Sequence, residues 1–490
     1  MLTHQARRDS RIVAAFGLLV AVFFLLANKV HSQTLARATE ILFRWKALAA
    51  CIRHAPLLAC TIALAGFSIG LWAIHATLPL IPAYFLIGAA TLCLDGGIAE
   101  LASFPAVLSK TLERARASWV RFLEPALRDR QQIVLVYHIA SLTSVVALLL
   151  ACFAILEALS VSTWALLLPA AILYLRANGF WQEIIHIDSH TRFMRPRNAG
   201  NARRHVLRFV QWSSDWVLSQ FFGMFPRWYL TEHVGNHHPE VNAPGDVETL
   251  CYYDRTNFFD FAKLCGRLVA NTTTGWGMYR YLIAKNRRRY ALLAAWGAAG
   301  HAITILVAYY FCAPLGTWLS ISSLGFGFSL SLIALSDHGL ADPEHPGDIF
   351  RNSYNVLWTL DDHGQYGARY HLTHHLNPAP TWGPRTDALA RKHQETVFHE
   401  NESILFHAFA YPDDLLRAFW TDDADFLYPY VVRVGRGRPT RAEWQALFAR
   451  RIRPIDAPSA PAWVRRVSGM MSRLAAFHIP PPAPGPHATS

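Results

Sequence analysis

Charge is scarce in this 490-residue chain: Asp, Glu, Lys and Arg make up 16% of it, against 52% hydrophobic residues. That balance excludes an ordinary soluble protein and points to an integral membrane one. Cysteine is sparse as well. The seven, Cys51, Cys60, Cys93, Cys152, Cys251, Cys265 and Cys312, form no CxxC pair and mostly lie in apolar runs. This argues against a zinc ribbon and a disulfide framework. GxSxG, P-loop and HExxH motifs are missing, as is a convincing GxGxxG, which weakens lipase, NTPase, zinc-protease and nicotinamide readings. A basic domain is missing too. The net charge of +12 sits on arginines between apolar runs, including Arg114, Arg116, Arg121, Arg128 and Arg130, and on KNRRR at 285–289. Such placement suits anionic headgroups and cytoplasmic loops, not nucleic acid.

Long apolar runs are what the chain does have. They fall at 57–76, 79–97, 133–157, 160–179, 291–312 and 315–336, each about the length of a spanning helix. A shorter run, Ile12–Ala27, follows Arg7, Arg8 and Arg11; no small-residue cleavage site follows it closely, so it reads as an anchor or interfacial helix. The stretch 101–132 alternates apolar and basic residues at helical spacing, as an amphipathic surface helix does. These signals predict an all-α integral membrane protein. Four core spans are paired as hairpins, so the polar sections that follow each pair face the same compartment, and further membrane helices precede them. Residues 1–132 form the N-terminal membrane region, 133–380 the core and 381–490 a cytoplasmic extension with a disordered proline-rich tail. Six crossings place both termini and both polar sections in the cytoplasm.

Histidine is the second abundance. Of 23 histidines, nine gather at the polar ends of the paired spans: His186 and His190 in HIDSH; His233, His237 and His238 in HVGNHH; His338 in LSDHG; and His371, His374 and His375 in HLTHH. Residues three or four apart share a helical face, so His186 with His190, and His233 with His237, can each grip one metal ion. Adjacent histidines diverge by about 100° on an α-helix. The doublets His237/His238 and His374/His375 can therefore serve two ions, as a two-metal site requires. His345 and His363 compete with His338 for its place. Imidazole suits iron, zinc, copper and nickel, so ligand type alone does not name the metal. Glu183, Asp188, Glu232, Asp337 and Asp362 stand near enough in sequence to orient the imidazoles by accepting their second N–H. EHPGD at 344–348 lacks the second glycine of a haem-binding HPGG loop.

These boxes resemble those of the membrane fatty acid desaturase and alkane hydroxylase superfamily, over roughly 133–380. EHVGNHH at 232–238 is similar to the HxxxHH second box of alkane hydroxylases, where typical desaturases have HxxHH. HLTHHLNPAPTW at 371–382 fits the third box of either branch, and LSDHG sits where the family places an isolated ligand. The resemblance implies a four-helix transmembrane core with a cytoplasmic histidine cap. It also implies two non-haem irons bound by the nine histidines, O₂ as co-substrate, and a lipid or fatty acyl substrate. Electrons would come from a separate ferredoxin, rubredoxin or cytochrome, in the inner (cell) membrane of a bacterium. Desaturation is the leading outcome, with acyl or alkyl hydroxylation as the alternative. A metal transporter is the rival from another class, but its ligands belong inside the spans, whereas these boxes lie just outside the apolar runs.

Overall fold

The computed structural model describes residues 117–118, 121–127, 132–194, 200–356, 370–378, 389, 392–393, 401–407 and 413–454. The expected N-terminal spans, Asp362 and His363 lie outside the described residues, as does most of the expected surface helix at 101–132. The longer helices are α1 (Ile133–Ala158), α2 (Leu167–Thr191), α3 (Asn201–Ser213), α4 (Phe258–Thr274), α5 (Trp276–Ala284), α6 (Arg288–Phe311), α7 (Ala313–His338), α8 (His371–Leu376), α9 (Asp413–Thr421) and α10 (Arg441–Arg451).

Three of them, in α1, α6 and α7, are long and apolar enough to cross a membrane, and the chain is an integral membrane protein. Along α6 the outward side chains are themselves apolar: Trp296 is 74% exposed and Tyr310 83%, the pattern of a face meant for lipid rather than water. The run expected to span at 160–179 differs. Its apolar stretch covers only Trp164–Leu175, and α2 continues through Asn178, Gln182, Glu183 and His186. At about 1.5 Å per residue the helix has the length of a span, but its second half carries chemistry instead of apolar surface.

The chain folds as two compact units, one taking in residues 230–292 and 325 onward, the other the described residues up to 229 together with 293–324. In the second of these, Tyr174, Trp181, Phe221, Phe222 and Trp318 form an aromatic core with ring separations of 5.4–6.0 Å. His301 lies buried on α6, its Nε2 2.8 Å from Ser323 Oγ, so its polarity is satisfied within the protein. Gly223, at φ 83°, admits no side chain, because a Cβ there would stand 2.0 Å from the Ser322 carbonyl oxygen.

In the first unit, α4 begins where the Asn257 side chain accepts from Phe259 N–H and ends at Gly275 in the left-handed region. Its Val269 backbone packs directly on Gly327 of α7, where a Cβ would come within 2.5 Å of Val269 Cα. Phe258 and Phe261 of α4 meet Trp420 of α9, each at 5.5 Å. A small sheet departs from the all-α expectation: β1 (Tyr354–Val356) pairs parallel with β2 (Ile404–Phe406), which pairs antiparallel with β3 (Val431–Val434). Three-residue strands leave little periodicity to read, and β2 and β3 come from the expected extension beyond 381. Helix α10, opened by a Thr440–Glu443 capping box, turns Arg451 inward. Its guanidinium, 1% exposed, donates to the carbonyls of Leu340, Arg351 and Glu402.

Replacing Arg451 with Met keeps the volume and leaves those carbonyls without their donor. The expected cost is about 3 kcal/mol, read as a lowered thermal unfolding midpoint of the purified protein; an unchanged midpoint would mean that the carbonyls find other partners.

Candidate metal centre

The first unit brings seven of the nine histidines together as two groups. His237, His338, His371 and His375, all buried, form one group in which the nearest ligand atoms of every pair lie within 4.8 Å. Along it, Nε2 of His338 is 3.1 Å from that of His237 and 2.9 Å from that of His371, and His371 is 3.0 Å from His375. His233, His238 and His374 form the other, with Nε2 separations of 3.0, 3.0 and 3.5 Å. The doublets part as the two-ion geometry needs: His238 and His374 turn to one group, His237 and His375 to the other.

One pairing differs from the helical expectation. His233 and His237 do not share a group, because the backbone from His233 to His237 is a π-turn, not α-helix. In a π-turn the bonds run from residue i to i+5, which sets His233 beside His238. An α-helical period applied to HVGNHH assigns His233 the wrong partner.

The converging nitrogens are all Nε2 because the outer nitrogens are held elsewhere. His237 Nδ1 stands 2.9 Å from Asp246 Oδ2, and Asp246 is itself fixed by the backbone N–H groups of Asn242 and Glu248. His338 Nδ1–H donates to the Asn352 carbonyl. Asp337 Oδ2 lies 3.4 Å from His371 Nδ1. A ring whose Nδ1–H is engaged presents a bare Nε2 lone pair, the tautomer a metal binds. The third box is positioned by the small sheet, where Asn355 of β1 grips Thr373 of α8 at both its backbone N–H and its hydroxyl.

Whether these residues suit a metal can be judged from the contacts. Each neutral Nε2 is either a donor or an acceptor, so among the three mutual contacts of His233, His238 and His374 at least one pairs like with like. Hydrogen bonding alone cannot satisfy the trio. Nitrogens placed about 2.1 Å from one ion at right angles stand about 3 Å apart, which is the spacing found. The donor set fits a metal of the borderline class that includes iron.

In the other unit His186 and His190 sit one turn apart at the end of α2, rings 5.3 Å apart. His186 Nδ1 lies 3.4 Å from Glu183 Oε2, and the ring stacks on Tyr229, whose hydroxyl donates to Gln182. Among the expected orienting carboxylates, Glu183 and Asp337 stand beside box histidines. Glu232 does not serve as an anion: burial, then repulsion from Glu248 and Asp246, pushes its carboxyl well above the ordinary range and keeps it neutral. Asp188 is likewise pushed up to about 6 by burial. The carboxylate that orients His237, Asp246, was missed; its one signal is its place in the NAPGD turn after the second box. His345 is not a rival of His338, because the Arg351 guanidinium lies 2.9 Å from its Nδ1 and 3.5 Å from Asp342, filling with a cation the place a metal would need.

Burial opposes a charge on His237, yet Asp246 and Glu248, with the Asp246 hydrogen bond, outweigh it and raise the imidazole to about 9. At pH 7 the metal-free ring therefore carries a proton that a metal must displace. Loading is expected to release it and to weaken about tenfold per unit as pH falls below 9, from this proton alone. In Asp246→Asn the pKa drops, proton release at pH 7 shrinks, and loss of orientation weakens metal binding by about 10- to 100-fold. A cobalt(II) titration in weak buffer reads both; undiminished proton release would contradict the assignment.

Residues 162–399 match the family model described as fatty acid desaturase. No curated protein and no solved structure matches the chain. With the histidine groups of the second and third boxes inside the matched segment and apolar spanning helices carrying them, the chain belongs to the membrane fatty acid desaturase and hydroxylase superfamily.

Proposed function

We propose that this protein is an O₂-dependent, non-haem di-iron oxidase that desaturates a fatty acyl chain. The observation that carries the reading is the gathering of buried imidazole nitrogens into two groups about 3 Å apart internally, a donor set for two ions. One iron is assigned to His237, His338, His371 and His375, the other to His233, His238 and His374, with His186 and His190 as the remaining ligands. Catalytic residues other than these ligands are not assigned. The catalytic core is taken as 133–380.

The chemistry supplied by bound iron is activation of O₂ with electrons from outside, to remove hydrogen from an unactivated C–H bond. In balance, a saturated carbon pair, O₂, two electrons and two protons give an alkene and two waters. The chain's own residues hold the ligands. Asp246, Asp337 and the Asn352 carbonyl keep the Nδ1 atoms occupied, and burial keeps bulk water from the nitrogens. Hydroxylation is the second reading, favoured by the HxxxHH spacing of the second box. It differs in stopping after oxygen has been placed on one carbon.

The electron donor is a separate ferredoxin, rubredoxin or cytochrome, and the arginine-rich face is a plausible dock for an acidic partner. Lys285 and Arg287 to Arg289 at the head of α6 put that end on the cytoplasmic side of a bacterial inner membrane by the positive-inside tendency.

Lipid mass spectrometry of cells expressing wild type or His374→Ala tests the reading, together with iron analysis of both proteins. Wild type is expected to hold about two irons per chain and to yield lipids lacking two hydrogens, while a gain of one oxygen would select hydroxylation. Retained product in the variant, or a wild type without iron, would sink the assignment. Turnover with an acidic donor is expected to fall as salt rises.

A further inference from the structure

The second box is one residue longer than HxxHH, and the π-turn is where that residue is accommodated. We propose that Pro239 and Arg287 are positioning residues that hold this turn open and thereby decide which ion His233 serves; the proposal rests on the two-metal reading above.

In a continuous α-helix the carbonyl of Gly235 accepts from the N–H of residue 239. Residue 239 is proline, which has no N–H and whose ring crowds the carbonyl four residues back. The backbone widens instead. The Glu232 carbonyl accepts from both Asn236 N, at 2.6 Å, and His237 N, at 2.9 Å, and the His233 carbonyl accepts from His238 N. Arg287 Nη1 then donates to the Gly235 carbonyl, supplying the donor that proline lacks.

Arg287 is well placed for this. It sits in the tight link between α5 and α6, with its own N–H bonded to the Leu282 carbonyl at 2.7 Å. Glu240, the residue after Pro239, is gripped by the Tyr281 hydroxyl and by Lys285 Nζ at 2.9 Å. The KNRRR run thus divides: Lys285 and Arg287 turn onto the box, while Arg288 and Arg289 are exposed.

His237 is held independently by Asp246. Straightening the turn to α-helix would therefore swing His233 away from His238 rather than move His237. In π register the first and last histidines of HxxxHH share a face, as those of HxxHH do in α register. The extra residue alters the backbone and not the donor set, so the spacing alone does not separate a hydroxylase from a desaturase.

The test uses the full-length protein, purified in detergent and stripped of metal, with cobalt(II) as the probe. Stoichiometry, visible absorption and the metal-free thermal midpoint are read for wild type, Arg287→Gln, Arg287→Lys, Pro239→Ala and the exposed neighbour Arg289→Gln. In Arg287→Gln and Pro239→Ala one site is expected to keep its affinity and the other to weaken about 10- to 100-fold with a changed spectrum. Their metal-free midpoints should stay near wild type, Arg287→Lys should recover part of the loss, and Arg289→Gln should titrate as wild type. Wild-type titration in both variants overturns the proposal. So does equal loss at both sites with a fallen midpoint, which is a merely structural role, or an equal effect of Arg289→Gln, which is bulk charge. A wild type that binds no cobalt would instead refute the two-metal reading itself.

Discussion

Buried imidazoles whose Nε2 atoms crowd to about 3 Å have nothing to gain from one another unless something holds them there. Three mutual contacts among neutral rings always leave a mismatched pair, and removing such groups from water without a partner costs about 1–3 kcal/mol each. The arrangement persists because each ring is fixed from behind. Asp246 holds His237, the Asn352 carbonyl holds His338, and Asp337 stands behind His371. Much of the first unit can be understood as scaffolding for those outer contacts.

That scaffolding draws on distant parts of the chain. Asn355 fixes the third box through Thr373, and its strand is completed by β2 and β3 from beyond residue 400. Arg451, from α10, reaches the carbonyls of Leu340 and Arg351 on either side of the Asn352 segment. Gly327 lets α7 approach α4 backbone to backbone. Each contact constrains the end of α7, where His338 must point inward. A segment outside the expected core thus contributes to the rigidity of the metal centre, through packing and carbonyl capping rather than through any ligand.

The second unit has a different burden. Polar groups such as His301 and Gln182 are buried beside apolar spans and are satisfied within the protein, by Ser323 and by Tyr229. Helix α2 changes character along its length, apolar at its start and carrying Glu183, His186 and His190 at its end. A hydropathy window averages such a helix into a span, although only part of it has the composition of one.

The sequence by itself determined the apolar helices at 133–158, 288–311 and 313–338, because a run of some twenty apolar residues has few other stable places. It also determined which histidines could act together, since two doublets and their neighbours are a local pattern. Asp246, Asn352 and Asn355 were not legible, because each acts through one side chain or carbonyl brought close by folding and none belongs to a periodic motif. The grouping of His233 was not legible either. Helical spacing pairs it with His237, whereas Pro239 and the Arg287 side chain, from fifty residues downstream, favour a wider turn that pairs it with His238. A repeat length can be read from a chain only while the backbone keeps its regular hydrogen bonds; where a tertiary donor takes over one of them, the tertiary structure decides the register.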